Sequence, residues 1–269
     1  MADSKYCYPS SNVLINKKNI KNAKDLFVAE KRYTSARLLA IQRSPIIGDF
    51  DLNHLQKIHK YIFQDIYEWA GEIRTVEIGK GNLFCPTHFI PQYAETVFSN
   101  YYSECKATRN DINEFVNALA KNYGDLNALH PFREGNGRTQ REFAREICLH
   151  FGYAFDLSHT THKEMLEASK LSFNKGDNSL FVKIFKKAVI PINEYKKNKD
   201  KEIFLAILTS DDLAINPFIN YESYNKLNED MQKQYNEIYK EKIDEMKKAK
   251  HHSTETPVKN KNDDDYEHE

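Results

Sequence analysis

The chain has 269 residues, and its 39 Lys+Arg balance its 39 Asp+Glu, so the formal net charge at pH 7 is zero. This length favours one well-buried domain with an appendage over two full catalytic domains. The balanced charge provides no global field that attracts nucleic acid or an anionic membrane, so we expect no direct nucleic-acid partner and no membrane partner.

Cysteine usage and hydropathy indicate the compartment. Cys7, Cys85, Cys105 and Cys148 form neither C-x-x-C pairs nor a zinc-spaced cluster, which fits a reducing environment. No apolar stretch approaches the roughly 18 to 20 residues that span a bilayer, and the start of the sequence contains no signal-peptide core. We therefore expect a cytoplasmic protein, and translocation into a host cell by dedicated machinery is compatible with the same features.

Two amphipathic helices are predicted in the first part of the chain. Apolar residues recur every three or four positions in residues 25–42 and again in residues 51–69. Residues 72–87 differ, because β-favouring isoleucine and valine precede a Gly-Lys-Gly-Asn turn at residues 79–82. This pattern predicts a β-hairpin that is exposed on at least one face.

The helical pattern resumes after the hairpin. Its strongest stripe, residues 111–129, ends where His130 precedes Pro131, because a residue before proline is disfavoured in the α conformation. The sequence therefore predicts a mainly α fold, a helical bundle with one β-hairpin. The other predicted helices of this part are residues 91–102, 138–151, 163–173 and 178–188.

The composition changes after about residue 192. Residues 221–250 are charged and carry apolar positions at helical spacing, which predicts an appended helix. The residues that follow are too polar to order themselves. We therefore divide the chain into a main domain at residues 1–190, a helical appendage at residues 191–250 and a disordered polar tail at residues 251–269.

Residues 130–141 read His-Pro-Phe-Arg-Glu-Gly-Asn-Gly-Arg-Thr-Gln-Arg and join two predicted helices. Gly135 and Gly137 permit close backbone approach, and the segment runs into a helix N-terminus, whose N–H groups and dipole attract anions. Arg138 and Arg141 lie three residues apart, so we expect both guanidinium groups to reach one anion. This pattern predicts a phosphate cradle.

Two further side chains give this cradle its chemistry. Glu134 is its only carboxylate, and a lone acid that faces several phosphates favours Mg²⁺. His130 carries an imidazole, a group that titrates near neutral pH, so it is a candidate general base for an incoming hydroxyl. The patterns G-x-x-x-x-G-K-[ST] and G-x-G-x-x-G do not occur, which disfavours P-loop and protein-kinase interpretations.

Each of these features also has a structural explanation. A single Gly-Asn-Gly turn is usually only a turn, a histidine before proline is usually a cap or a core residue, and one acid beside two arginines can be a surface salt-bridge cluster. Their coincidence within one short segment favours phosphoryl-type transfer.

The same segment resembles, position for position, the Fic family motif H-x-F-x-[DE]-G-N-G-R-x-x-R. The resemblance extends to residues 9–20, 58–59 and 66–75 and covers roughly residues 6–188. It implies a helical Fic fold with a β-hairpin flap at residues 74–84, on which an extended segment of a target protein pairs by strand addition.

The resemblance also implies roles for individual residues. His130 would deprotonate a Ser, Thr or Tyr hydroxyl of the target protein, which attacks the α-phosphorus of ATP and releases pyrophosphate. Glu134 would bind Mg²⁺, and Phe132 would anchor the loop in the core. Nucleotide contacts are implied for Lys80 and Gly81 in the flap and for Gly135, Asn136, Gly137, Arg138 and Arg141 in the motif.

Partners and regulation follow from the same resemblance. Gly137 occupies a position where the kinase-like Doc branch has lysine, which favours AMP transfer. The chain is most similar to bacterial toxin-like members, some of which modify subunits of DNA gyrase and topoisomerase IV. The family's inhibitory pattern [ST]-x-x-x-E-[GN] does not occur, so we expect a separate small antitoxin-like inhibitor that contacts Arg141.

Two rival functions stand beside protein AMP transfer. The first is transfer of a different nucleotide or phosphate-containing group by the same loop, because the motif does not encode the base. The second is a nucleotide-binding interaction module that has lost turnover, which the presence of every motif residue disfavours.

Overall fold

The computed structural model describes residues 5–80 and 82–198, and of Arg43 and Lys80 only the main chain. The chain divides into two compact units, Met1–Ile192 and Asn193–Glu269, and all but the first few residues of the second unit lie outside the described residues. The predicted helix at 221–250 and the predicted tail at 251–269 therefore lie outside them too. The helices of the first unit are α1 (Ala23–Arg43), α2 (Leu52–Phe63), α3 (Ile90–Thr108), α4 (Ile112–Leu129), α5 (Asn136–His150), α6 (His162–Lys175) and α7 (Ser179–Ala188).

Short polar side chains start several of these helices. The side chain of Asn22 accepts hydrogen bonds from the first N–H groups of α1, and Asp51 and Asp111 do the same for α2 and α4. Thr161 and Glu164 form a reciprocal capping box at the start of α6. Caps of this kind satisfy N–H groups that have no partner inside the helix.

The helix predicted at residues 51–69 is shorter in the structure. It ends at Phe63, and a series of turns follows in which Ile66 and Tyr67 are still fully buried. The apolar pattern therefore continues beyond the helix, because these turns also pack against the core. The opposite difference occurs in α3, which runs to Thr108 and not to residue 102.

The predicted hairpin is present, but its ladder is short. Strand β1 (Gly79–Lys80) pairs antiparallel with β2 (Asn82–Leu83), with Gly79 opposite Leu83. A second small sheet was not predicted from the sequence: β3 (Tyr153–Phe155) pairs antiparallel with β4 (Val189–Pro191). This pairing joins segments about 35 positions apart, so no local pattern signals it.

Helix α4 lies at the centre of the bundle and contacts α3, α5, α6 and α7. Its Tyr123 packs edge-on against Phe181 and Phe185 of α7. On the neighbouring helix α5, the fully buried Phe143 packs edge-on against Phe98 of α3. This core fixes the ends of α4 and α5, between which the motif segment runs. None of the helices in the described part of the chain is long and apolar enough to cross a membrane.

Arg74 connects the hairpin to the motif segment. Its side chain is fully buried and donates hydrogen bonds to three main-chain carbonyls, those of His130 (2.9 Å), Val76 (2.9 Å) and Cys85. Its own N–H donates to the Pro131 carbonyl at 2.9 Å. Burial lowers the pKa of Arg74. A buried guanidinium of this kind depends on its partners to offset the loss of hydration.

Replacing Arg74 with lysine should therefore destabilise the protein by about 2–4 kcal/mol, because an ammonium group cannot reproduce the planar, multiply donating geometry. The free energy of unfolding from urea titrations measures the effect. Arg109→Lys is the matched control, since exposed Arg109 makes one hydrogen bond to the Lys106 carbonyl, and its change should stay within about 0.5 kcal/mol. Equal effects at the two positions would contradict the assigned role of Arg74.

Candidate active site

Residues 130–137 are called the active loop below; they comprise the segment between α4 and α5 and the first two residues of α5. Its first residue, His130, adopts the left-handed conformation (φ 43°, ψ 60°) and caps α4 by donating its N–H to the Leu126 carbonyl at 3.2 Å. Pro131 follows and disfavours the helical conformation at His130. The sequence therefore ends α4 at the residue that was predicted to act as a base.

The His130 ring is oriented from two sides. Its Nδ1 lies 3.0 Å from the Asn127 carbonyl, and a carbonyl can only accept, so the neutral ring carries its proton on Nδ1. The lone pair of the neutral imidazole is then on Nε2. The Phe84 ring stacks on the imidazole with a centroid distance of 3.7 Å and an interplanar angle of 9°. These contacts fix both the tautomer and the plane of the ring.

Asn136 holds the active loop in its shape. Its side-chain oxygen accepts from the Phe132 N–H at 2.9 Å, and its side-chain nitrogen donates to the Phe132 carbonyl at 2.7 Å. The Phe132 side chain is fully buried, as predicted from the motif. One of the two N–H donors of the Asn136 side-chain amide is thus used inside the loop.

His59 of α2 supports the loop from below, a role that the sequence did not reveal. Its Nδ1 accepts from the Gly71 N–H at 2.8 Å, so its Nε2 donates to the Glu134 carbonyl at 3.0 Å. The ring also stacks on Phe132 at 3.9 Å. Burial and, to a smaller extent, the charge of Arg138 lower the pKa of His59 to about 3 against the opposing hydrogen bond to Glu134. His59 is therefore neutral at physiological pH.

A cavity of about 450 Å³ opens above the active loop. Its floor is the loop and the first turn of α5, one wall is α6, and the hairpin covers part of it. The main-chain N–H groups of the first α5 turn lack intrahelical acceptors by position, which suits an anion. The side chains of Phe84, His130, Glu134 and Arg141 all contribute to the lining, as do Ile78, Lys170, Phe173 and Asn174.

The two motif arginines are used differently. Arg141 lines the cavity beside Tyr123, whose pKa burial raises to about 12 against the opposing charge of Arg141. The guanidinium of Arg138 binds Glu30 of α1 at 2.6 Å and lies 3.6 Å from the carboxylate of Glu134. The expectation that both guanidinium groups reach one anion stays a prediction. Sequence reasoning missed Glu30, since no local pattern links α1 to the motif.

Glu134 is the carboxylate that the cavity offers to a metal ion. Its side chain is 46% exposed, and one of its oxygens accepts from the Gly135 N–H at 2.9 Å. Among residues 5–80 and 82–198, no group of three or more His, Cys, Asp or Glu side chains is placed to hold a metal ion. Mg²⁺ is commonly bound by one or two carboxylates together with substrate phosphates and water. The donor set thus fits a cation that arrives with a nucleotide.

Known proteins with similar sequences support this interpretation. The family model described as Fic/DOC family matches residues 49–148. The chain is 40% identical over 169 residues to the protein adenylyltransferase VbhT of Bartonella schoenbuchensis, a match that covers 62% of this chain and 35% of VbhT. It is 36% identical over 170 residues to the probable protein adenylyltransferase y4lH of Sinorhizobium fredii, covering 62% of this chain and 87% of that protein. The chain belongs to the Fic/DOC family.

The fold of this Fic protein agrees with a solved relative. The N-terminal Fic domain of a putative cell filamentation protein from Bartonella quintana, a crystal structure with bound ADP, superposes with a TM-score of 0.64 at 26% identity. The match covers 71% of this chain and 97% of that chain. The prediction of a mainly helical Fic fold with a two-stranded hairpin is thereby confirmed.

The hairpin of the Fic domain reaches across the cavity to α6. The side chain of Asn82 donates to the Asn174 side chain at 2.9 Å, and the Phe84 ring lies 4.6 Å from that of Phe173. Of the two flap residues expected to contact the nucleotide, Lys80 is described by its main chain in β1, and Gly81 lies outside the described residues. Their nucleotide contacts stay predictions.

Gly135 is required by space as well as by conformation. Its φ is +83°, and a Cβ added there would lie 2.1 Å from the Phe63 ring. Gly135→Ala should cost about 2 kcal/mol or more in the free energy of unfolding and weaken nucleotide binding, because the loop has to move. Gly152→Ala is the control: φ is +87° but nothing lies within 4 Å, so conformational strain alone should cost about 1 kcal/mol. Equal losses for the two variants in urea titrations would show that the Phe63 contact is unimportant.

The lowered pKa of His59 predicts a pH dependence of stability. In the unfolded chain the pKa of His59 is about 6.5, so as pH falls the unfolded state is protonated before the folded state. The contribution of neutral His59 to stability is therefore present above pH 6.5 and is lost as pH falls towards 3. Between about pH 7 and pH 5 the free energy of unfolding should fall by roughly 2 kcal/mol from this residue. His59→Gln should remove that part of the pH dependence, whereas the same change at exposed His159 should leave it in place. Identical pH profiles for His59→Gln and the unmodified protein would contradict the assignment.

Proposed function

We propose that this protein is a protein adenylyltransferase, which transfers AMP from ATP to a Ser, Thr or Tyr hydroxyl of a target protein. The observation that carries the proposal is the His130 imidazole, which Asn127 and Phe84 hold in the wall of a cavity whose floor includes the N-terminus of α5. Relatives named as adenylyltransferases and a related Fic domain with bound ADP support the same reaction class.

The reaction assigns a task to each side of the cavity. The Nε2 atom of His130 takes the proton of the target hydroxyl as its oxygen attacks the α-phosphorus of ATP, and the bond to the β-phosphate oxygen breaks to release pyrophosphate. Arg141 and the N–H groups at the start of α5 hold the phosphates in place and stabilise the charge that develops on them. Glu134 would hold Mg²⁺, which neutralises charge on the leaving pyrophosphate.

The hairpin is the proposed docking surface for the target within residues 74–84. Strand addition to an exposed hairpin edge would bring an extended target segment past His130. Leu83 of β2 is 69% exposed and offers an apolar contact on this surface. Subunits of DNA gyrase or topoisomerase IV are the proposed targets, on the basis of the toxin-like resemblance, and the reaction would take place in the cytoplasm.

Control by a separate small inhibitor protein is part of the proposal. The [ST]-x-x-x-E-[GN] pattern of internal inhibition does not occur in the sequence, and Arg141 lines the open cavity. A glutamate of an antitoxin-like partner would pair with Arg141 and occupy the place of the γ-phosphate. The two rival functions, transfer of another phosphate-containing group and nucleotide binding without turnover, make different predictions for labelled nucleotide.

The decisive experiment incubates the purified chain with bacterial lysate and ATP labelled at either the α- or the γ-phosphate. Label should stay on a protein band with α-labelled ATP and be absent with γ-labelled ATP. His130→Ala should abolish labelling but retain ATP binding, because loss of a general base affects the transition state more than ground-state binding. His159→Ala, at an exposed site outside the cavity, is the control.

The outcomes separate the alternatives. Transfer of the γ-label would indicate phosphorylation, and retention of label from a different nucleotide in preference to ATP would indicate another base specificity. Binding of ATP without any labelled band would support a non-catalytic module. Wild-type labelling by His130→Ala would refute the assigned mechanism.

A further inference from the structure

Glu30 of α1 is buried beside the active loop and binds two groups at once. One of its oxygens accepts from Nη2 of Arg138 at 2.6 Å, and the other accepts from the phenol of Tyr67. Burial, with the Glu30 charge as a second cause, raises the pKa of Tyr67, so the phenol stays a donor. Both oxygens of the Glu30 carboxylate are therefore satisfied in the observed arrangement.

The Arg138 guanidinium is also held by neutral contacts with α1 and α2. Its Nη1 donates to the Thr34 hydroxyl at 3.2 Å, and its carbon lies 4.7 Å from the centre of the Phe63 ring. Withdrawing Arg138 from this position would leave the Glu30 carboxylate buried with an uncompensated charge, which is strongly unfavourable. Arg138 is thus anchored away from the cavity.

A second carboxylate lies near the same guanidinium. Nη2 of Arg138 is 3.6 Å from an oxygen of Glu134, beyond hydrogen-bonding distance, against 2.6 Å to Glu30. Glu134 lines the cavity, whereas Glu30 does not. Two acids therefore flank one arginine, and the one outside the cavity holds it.

We propose that Glu30 is a positioning residue, which keeps Arg138 on the α1 side and so leaves the Glu134 carboxylate available to the divalent cation that accompanies the nucleotide. This inference rests on the proposed function, because it takes Glu134 as the metal ligand. If Glu30 loses its charge, Glu134 becomes the nearest anionic partner of Arg138. Nη2 of Arg138 is already within ion-pair distance of Glu134, and a shift of about 1 Å would turn this contact into a charge-assisted hydrogen bond that competes with the cation for the same oxygens.

The test is the Mg²⁺ dependence of nucleotide binding in Glu30→Gln. Isothermal titration calorimetry with the α,β-methylene analogue of ATP, which cannot transfer AMP, measures binding without turnover. The Mg²⁺ concentration at which the affinity for the analogue is half-maximally increased should rise about three- to tenfold. This factor is smaller than that expected at a fully buried metal site, because Glu134 is partly exposed. Binding of the analogue without Mg²⁺ should change little.

Two control variants separate positioning from general damage. Thr34→Val removes a neutral contact of the same guanidinium but keeps the Glu30 charge, so its Mg²⁺ midpoint should stay within about twofold of the unmodified protein. In the double variant Glu30→Gln with Arg138→Gln, the competing cation is gone, and the midpoint should return towards that of the unmodified protein. If Glu30→Gln had damaged the fold, the additional substitution of Arg138 would not restore the Mg²⁺ midpoint.

Tyr67→Phe covers the case in which Glu30→Gln does not fold. It removes the phenol that anchors Glu30 but keeps the carboxylate, so it should shift the Mg²⁺ midpoint in the same direction by a smaller factor. An unchanged midpoint in both Glu30→Gln and Tyr67→Phe, or no recovery in the double variant, would overturn the role of Glu30. If the unmodified protein binds the analogue without any Mg²⁺ dependence, the assignment of Glu134 in the proposed function fails, and this inference fails with it. Mg²⁺ dependence that is equal in the unmodified protein and the variants overturns the inference alone.

Discussion

The amide side chain of Asn136 forms two hydrogen bonds with the main chain of Phe132, and this closed ring of atoms sets the shape of the active loop. These two hydrogen bonds hold a tight turn, after which α5 begins at the floor of the cavity. The Phe132 ring is buried in the core. His59 then holds the Glu134 carbonyl from below, and Arg74 holds the His130 carbonyl from the side. Each of these contacts is made to the backbone, so the loop keeps its geometry while its functional side chains are left to act.

The neighbouring helices determine which groups Arg138 and Arg141 contact. Three residues apart on one helix, the two side chains lie on a common face, yet their guanidinium groups have different partners. Glu30 of α1 binds the guanidinium of Arg138, and Arg141 lies beside Tyr123 of α4 in the lining of the cavity. The carboxylate of Glu30 offsets the charge of Arg138 in an ion pair. The phenol of Tyr123 is neutral, so the charge of Arg141 can act on a ligand.

Much of the fold could be predicted from the sequence, because helical periodicity and proline placement are local signals. Five of the predicted helices correspond closely to α1, α4, α5, α6 and α7, and the motif named the residues that line the cavity floor. The end of α2 was misplaced, since the buried turns after Phe63 continue the apolar pattern. The β3–β4 pair, His59 and Glu30 could not be predicted, because each acts on a partner far away in sequence. The predicted contacts of Lys80 and Gly81 and the division after residue 190 stay predictions.

The single hydrogen bond between the Asn82 and Asn174 amides has a consequence for the order of events at the cavity. It joins neutral, exposed groups, so opening it has a small free-energy cost compared with the many buried contacts of the floor. The Phe84 ring of the same hairpin lies against Phe173 of α6 and also stacks on the His130 imidazole, so separation of the hairpin from α6 would remove one of the two contacts that orient the imidazole. Substrate entry and the alignment of the general base are therefore coupled, because the segment that covers the cavity also positions the ring.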